Sequence, residues 1–159
     1  MDEENIEKAL KWIVEILRKH NIPFQLTGGF AARLYGSKGF RQDAEDIDID
    51  ISKSRFAEIM NEVKDYIVKG PERYYDDFFD CNLLTLNYAG RNIDLGDSDD
   101  CKIFDKKKNQ WVKCETNYAK SENIEVFGIK VPVIAKEDLI EYKEILGRSD
   151  DLEDLKYLK

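Results

Sequence analysis

Apolar positions along the chain switch between two periods, and the switches divide it into elements. Ile6, Leu10, Ile13, Val14 and Leu17 recur at helical spacing over residues 3–19, with acids early and Arg18, Lys19 and His20 late. That charge order suits a helix dipole, so an amphipathic helix is expected there, stopped by Asn21 and Pro23. The short run Ile22–Leu26 reads as a buried strand. Thr27-Gly28-Gly29 breaks it, and Phe30, Ala31, Leu34 and Tyr35 form a short helix ending at Gly36.

After the loop SKGFRQDAE, residues 46–51 (DIDIDI) alternate strictly with period 2, the pattern of a half-buried strand. Phe56, Ile59, Met60, Val63 and Ile67 then share one helical face, with Ser52 or Ser54 as its cap. A hairpin is expected over residues 81–95: Asn82–Tyr88, a turn at Ala89-Gly90, and Arg91–Leu95. Residues 96–123 are polar and carry no clear period. IEVFGIKVPVI around Gly128 reads as two extended segments, and Lys136–Leu146 and Asp150–Leu158 as closing helices separated at Gly147. No repeat or linker interrupts residues 1–159, which are expected to form one domain.

Charge sharpens this reading. The 159 residues carry 25 Lys+Arg against 33 Asp+Glu, a net charge of −8. Two short windows, RQDAEDIDID (41–50) and RNIDLGDSDD (91–100), together hold −7 of it. The acidity argues against a nucleic-acid surface, and its concentration argues for local chemistry. No apolar run reaches the roughly 20 residues of a membrane span, and the acidic N-terminus is unlike a signal peptide. Cys81, Cys101 and Cys114, with no CxxC pair, are expected to be free thiols of a cytoplasmic protein rather than a disulfide framework or a zinc site.

Alternation puts Asp46, Asp48 and Asp50 on one face of their strand, about 6.6 Å between neighbours, opposite an isoleucine face that must be buried. Such carboxylates repel one another unless a cation intervenes, and hard oxygen ligands suit Mg²⁺. An edge strand protected by outward charges is the other reading of the same alternation. Upstream, Gly28-Gly29 lies between strand and helix, where backbone N–H groups can approach phosphate, although the motif is neither a dinucleotide fingerprint nor a P-loop. Downstream, Asp94 sits in the return strand of the hairpin; Asp97, Asp99 and Asp100 read as solvated.

A Gly-Gly turn, Asp-x-Asp on a strand and an Asp on a later strand, in that order, resemble the nucleotidyltransferase superfamily related to DNA polymerase beta. The segment LTGGFAARLYGSKGFRQDAEDIDIDIS carries the likeness, with Arg41 as the Arg that precedes the aspartates in antibiotic-modifying and toxin-associated branches. The tail EDLIEYKEILGRSDDLEDLKYL is similar to the closing helices of small members, placing Lys143, Arg148, Asp151 and Asp154 on positions often seen there; Asp150 stands where a basic residue is usual. Residues 24–51, 81–95 and 133–158 are covered, and size together with the DIDID core most resembles lincosamide-type and toxin–antitoxin-type nucleotidyltransferases.

The resemblance implies an α/β (α+β) fold, a mixed β-sheet flanked by helices. It also implies transfer of a nucleoside monophosphate from an NTP, ATP by preference, to a small-molecule or macromolecular acceptor. Asp46, Asp48 and Asp94 would be catalytic and hold Mg²⁺; Thr27, Gly28, Gly29 and Arg41 would bind the nucleotide. A homodimer completing the cleft is compatible with it. The alternative is a catalytically silent antitoxin or regulatory nucleotide-binding module.

Other residues read as structural. His20 suits a helix-end cap, Tyr74-Tyr75 and Phe78-Phe79 core or interface packing, and Lys106-Lys107-Lys108 a solvated turn. One histidine builds no Ser-His-Asp triad. DAEDIDIDISKS lacks the central Gly and closing Glu of an EF-hand.

Overall fold

The computed structural model describes residues 2–36, 46–114 and 116–159. The first helix, α1 (Asp2–Lys19), turns at Asn21 into β1 (Gln25–Thr27), then α2 (Gly28–Leu34) and β2 (Ile47–Ile51). A 3₁₀ turn at Lys53–Arg55 leads into α3 (Phe56–Val63), followed by β3 (Ile67–Tyr75), β4 (Phe79–Tyr88) and β5 (Arg91–Asp97). Two short strands, β6 (Lys102–Asp105) and β7 (Gln110–Lys113), precede the hairpin β8 (Glu122–Val126) and β9 (Ile129–Val133). The chain closes with α4 (Lys136–Leu146) and α5 (Ser149–Leu158).

The described strands form one mixed sheet in the order β7-β6-β4-β5-β2-β1-β9-β8, with β3 on the other edge of β4. β2 runs parallel to β5, β1 runs parallel to β9, and β1 is antiparallel to β2. The pairing lines up Val133, Leu26, Ile49, Leu95 and Leu84 across one face, all fully buried. Ile6, Leu10, Ile13 and Leu17 of α1, with Phe56, Ile59 and Val63 of α3, belong to the same core. α2, α4 and α5 contact one another, and α4 lies against β6.

Two hairpin turns carry positive φ at both central residues, Ala89-Gly90 (54° and 76°) and Phe127-Gly128 (51° and 82°). Those turns match the right-handed twist of the paired strands and fix the registers on either side.

Several boundaries differ from the sequence reading. The strand expected from Ile22 begins only at Gln25, because the chain is still turning through Asn21 (φ 54°). Ile67 is the first residue of β3, since the helix ends in a 3₁₀ turn at Lys64–Tyr66. Ser52 caps the Lys53–Arg55 turn through Ser54 N–H rather than α3 itself. Residues 96–123 supply β6, β7 and a 3₁₀ turn at Tyr118–Lys120. Asp97 is not solvated: it is 2% exposed at the end of β5, where its carboxylate accepts from the amides of Lys53 and Asp99 and from Asn82 Nδ2. Tyr75 is 68% exposed beside Trp111 and packs in no core. The triple lysine lies at the β6–β7 turn as expected, exposed, with Asp105 accepting from the amides of Lys107 and Lys108.

Among the described residues, no helix is long and apolar enough to cross a membrane.

A carboxylate row as candidate active site

The strand face opposite the core bears a polar row. Thr27 of β1 pairs with Asp48 of β2, Asp48 with Asp94 of β5, and Asp94 with Thr85 of β4. Directly paired residues point the same way, so four polar side chains from four strands stand side by side. Their placement follows from composition: the alternate residues of β2 and β5 are Ile and Leu, which claim the core and force the aspartates to the other side.

Asp48 is the centre of the row. Its pKa is held well above the usual carboxylate range, first by burial, then by the charges of Asp94 and Asp46, with Lys143 acting in the opposite direction. Asp94 is raised by burial and partly restored by Thr85, whose Oγ1 donates to Asp94 Oδ1 at 2.7 Å. Asp46 precedes β2 and is exposed at the mouth of the row. Asp50 shares the face of Asp48 but is tied elsewhere: Gln25 Nε2 donates to it at 3.0 Å, and Ser121 in turn donates to Gln25. Burial lifts its pKa to about 6, with the Gln25 hydrogen bond pulling the other way.

Gly28 is required here. It opens α2 with φ +63°, and a Cβ on it would lie 2.5 Å from Asp48 Oδ2. Only a residue without a side chain lets the backbone approach that carboxylate so closely. Thr27 occupies the N-cap position in extended conformation and makes no side-chain cap hydrogen bond. Gly29 follows in the first turn of α2. Arg41 lies outside the described residues.

The donor set fits a hard cation: carboxylate oxygens on a rigid strand, mutually repelling, with a glycine cradle against one of them. Among the described residues no three His, Cys, Asp or Glu groups are gathered to hold a metal ion unaided. Mg²⁺ ordinarily takes one or two carboxylates and completes its shell with water and substrate phosphates.

Beside the row lies a second charged cluster, in which Arg33 joins the four residues of the tail motif, Lys143, Arg148, Asp151 and Asp154. Lys143 of α4 is 2% exposed and bridges Asp151 at 3.1 Å and Asp154 at 3.0 Å, both on α5. Arg33 of α2 reaches Asp154 at 2.6 Å, and Arg148 Nε reaches Asp151 at 2.7 Å. The guanidinium of Arg148 also lies 5.0 Å from the Phe79 ring centroid and 5.7 Å from that of Phe78. These residues brace α2, α4 and α5 around the row, and the charges of Lys143 and Arg148 reach Asp48.

Thr85 was missed as a site residue. The signal for it was the hairpin itself, since a two-residue turn at Ala89-Gly90 sets Thr85 opposite Asp94. Tyr142 of α4 was missed too; burial pushes its hydroxyl well above the usual phenol range, with Cys114 and Asp48 adding to the shift and Arg148 opposing it.

Comparisons with known proteins bear on the family and the fold. A family model for aminoglycoside-2''-adenylyltransferase matches residues 9–158. The fold is similar to a candidate nucleotidyltransferase from Thermotoga maritima, with TM-score 0.73 and 19% identity over 98% of this chain and 93% of that one. It is also similar to ANT(2'')-Ia in complex with adenylyl-2''-tobramycin, with TM-score 0.60 and 14% identity over 95% and 86% of the two chains. A nucleotidyltransferase-like antigen from Paracoccidioides brasiliensis gives TM-score 0.60 and 14% identity over 99% and 77%. A search of curated protein sequences returns no match. With all but its first eight residues and its last spanned by one family model, the chain belongs to the aminoglycoside-2''-adenylyltransferase family and is a nucleotidyltransferase enzyme.

Proposed function

We propose that the protein transfers AMP from Mg²⁺-ATP to a hydroxyl group of an aminoglycoside-like acceptor, releasing pyrophosphate. The observation that carries this reading is the Asp48–Asp94 pairing on one strand face with Gly28 pressed against Asp48. A carboxylate pair beside such a backbone turn suits a cation and the phosphates it carries, and this supports the reading.

Asp46 and Asp48 would hold Mg²⁺, which when bound offsets phosphate charge and stabilises the attacking and leaving oxygens of an in-line displacement. Thr27 and the backbone N–H groups of Gly28 and Gly29 hold the terminal phosphates, and Arg41 neutralises charge building on them. Asp94, steadied by Thr85, receives the proton of the acceptor hydroxyl as its oxygen attacks the α-phosphorus and the bond to pyrophosphate breaks. A carboxylate whose pKa is raised by burial is better matched to that task than an exposed one. The retention of all three aspartates supports turnover over a silent regulatory module.

Two measurements test this. Isothermal titration of Mg²⁺-ATP into wild type and into the double variant Asp46→Asn, Asp48→Asn should show binding only in the first; equal affinities would remove the row from nucleotide binding. Label transfer from α-³²P-ATP to an aminoglycoside panel should give a labelled acceptor. Nucleotide binding without any transfer would overturn the acceptor class.

A further inference from the structure

The three cysteines, distant in sequence, stand in one line across the sheet. β4 pairs with β6 at Phe79↔Ile103 and Asp80↔Lys102, so one more step along that ladder sets Cys81 opposite Cys101. β6 pairs with β7 up to Lys102↔Lys113, so one more step sets Cys101 opposite Cys114. The Cys114 amide donates to the Cys101 carbonyl at 2.8 Å, which confirms the second step. The thiol of Cys101 stands between those of Cys81 and Cys114, near enough to bear on the ionisation of Cys81. All three are free; Cys81 is buried, whereas Cys101 and Cys114 are partly accessible.

Spacing decides what this line can do. Directly opposed residues hold their Cβ atoms about 4.5–5.5 Å apart, closest where the pair shares no backbone hydrogen bonds, and a disulfide needs about 3.5–4.5 Å; Cys81 and Cys101 therefore close with a small shift, and Cys101 and Cys114, joined through the backbone at 2.8 Å, with a larger one. The outer pair, two strand spacings apart, lies at roughly 9–10 Å and cannot join. Nor can three sulfurs in a line all reach one soft metal ion at about 2.3 Å.

We propose that this row is a thiol-oxidation site in which Cys101 is the shared partner, forming a reversible disulfide with either Cys81 or Cys114 when a peroxide reaches it. One thiolate of a pair attacks a peroxide oxygen; the O–O bond breaks, the first water leaves and a sulfenic acid remains. The neighbouring thiolate attacks that sulfur, the S–S bond forms and the second water leaves. Two thiols thereby lose two electrons, which reduce the peroxide. The remaining thiol stands beside the new bond, placed for exchange through Cys101. The neighbouring Cys101 thiol, and after it the charge of Arg73, hold the Cys81 thiol below its usual range against the opposing effect of burial, which supplies a nucleophile for either step.

The full-length protein treated with hydrogen peroxide, alkylated and mapped by non-reducing mass spectrometry reads this out independently of nucleotide transfer. Wild type should lose the mass of two hydrogen atoms, keep one alkylatable thiol, and yield a linked peptide that always contains Cys101. Dithiothreitol should restore all three thiols. Cys81→Ser and Cys114→Ser should each still form an internal disulfide, through Cys101, whereas Cys101→Ser should form none. Three alkylatable thiols in peroxide-treated wild type would overturn the proposal. So would an internal disulfide in Cys101→Ser, or a Cys81–Cys114 linked peptide from wild type should that variant not fold.

Discussion

Two groups of carboxylates lie close together in this protein and live in opposite circumstances. Asp151 and Asp154 have side chains 0% and 4% exposed, yet Lys143, Arg33 and Arg148 answer them with charge and hydrogen bonds. Asp48 and Asp94 stand together with Asp46 nearby, and the cations whose fields reach Asp48, Lys143 and Arg148, are already committed to the other group. A buried charge with partners is architecture; a buried charge among like charges is a demand for a cation from outside. The first group fixes α2, α4 and α5 so that the second can be held under repulsion.

Breaking the compensated group should have the largest effect on stability. Lys143→Met leaves Asp151 and Asp154 buried with one partner fewer, and should cost about 3–5 kcal/mol in urea unfolding, with no recovery on adding Mg²⁺-ATP. A loss below about 1 kcal/mol would mean that Arg33 and Arg148 suffice.

Gly28→Ala acts on the other group. The added methyl meets Asp48 Oδ2 at 2.5 Å, at a φ of +63°, so stability should fall by roughly 1–2 kcal/mol. Mg²⁺-ATP affinity, measured by titration calorimetry, should fall with it. An unchanged affinity would separate the turn from the carboxylate. Thr85→Val removes the hydroxyl that donates to Asp94 at 2.7 Å. Transfer rate should drop about tenfold, equivalent to about 1.4 kcal/mol, at nearly unchanged nucleotide affinity.

The smallest effect is one of pH. Asp50 has a folded pKa of about 6, above its unfolded value, so its contribution to stability is complete below the unfolded pKa and is lost as pH rises through 6. Between pH 5 and 7 the metal-free wild type should therefore lose stability relative to Asp50→Asn, by under about 1 kcal/mol once screening is allowed for. Parallel urea midpoints across that window would contradict the shift.

How far the sequence could be read follows the same physics. β2 was legible because Ile47, Ile49 and Ile51 are fully buried and the aspartates between them are not, so composition records the environment. α1 and the closing helices were legible for the same reason. β3 was not: it is an outer strand with Lys69, Glu72 and Arg73 exposed and Gly70-Pro71 inside it, so its backbone pairing leaves little trace in side-chain pattern. Asp97 misled because DSDD looks like solvent-facing sequence, although Arg91, Ile93, Leu95 and Asp97 continue a buried period of two. The cysteine row was illegible because it depends on the registers of β4–β6 and β6–β7, and β6 and β7 come from the stretch that carries no sequence period. Gly28, Asp48 and Asp94 were singled out by the glycine turn, the strict alternation and the hairpin, whereas the β1–β2 and β2–β5 pairings that bring them together join segments far apart in the chain.

The central claim is that Asp48 is uncompensated by the protein itself, and urea unfolding of Asp48→Asn beside wild type tests it most directly. Without Mg²⁺-ATP the variant should be at least as stable as wild type at pH 7, and with Mg²⁺-ATP only wild type should gain. A variant that is less stable than wild type in the absence of Mg²⁺-ATP would contradict the account, because it would show that the folded chain already provides Asp48 with its counter-charge.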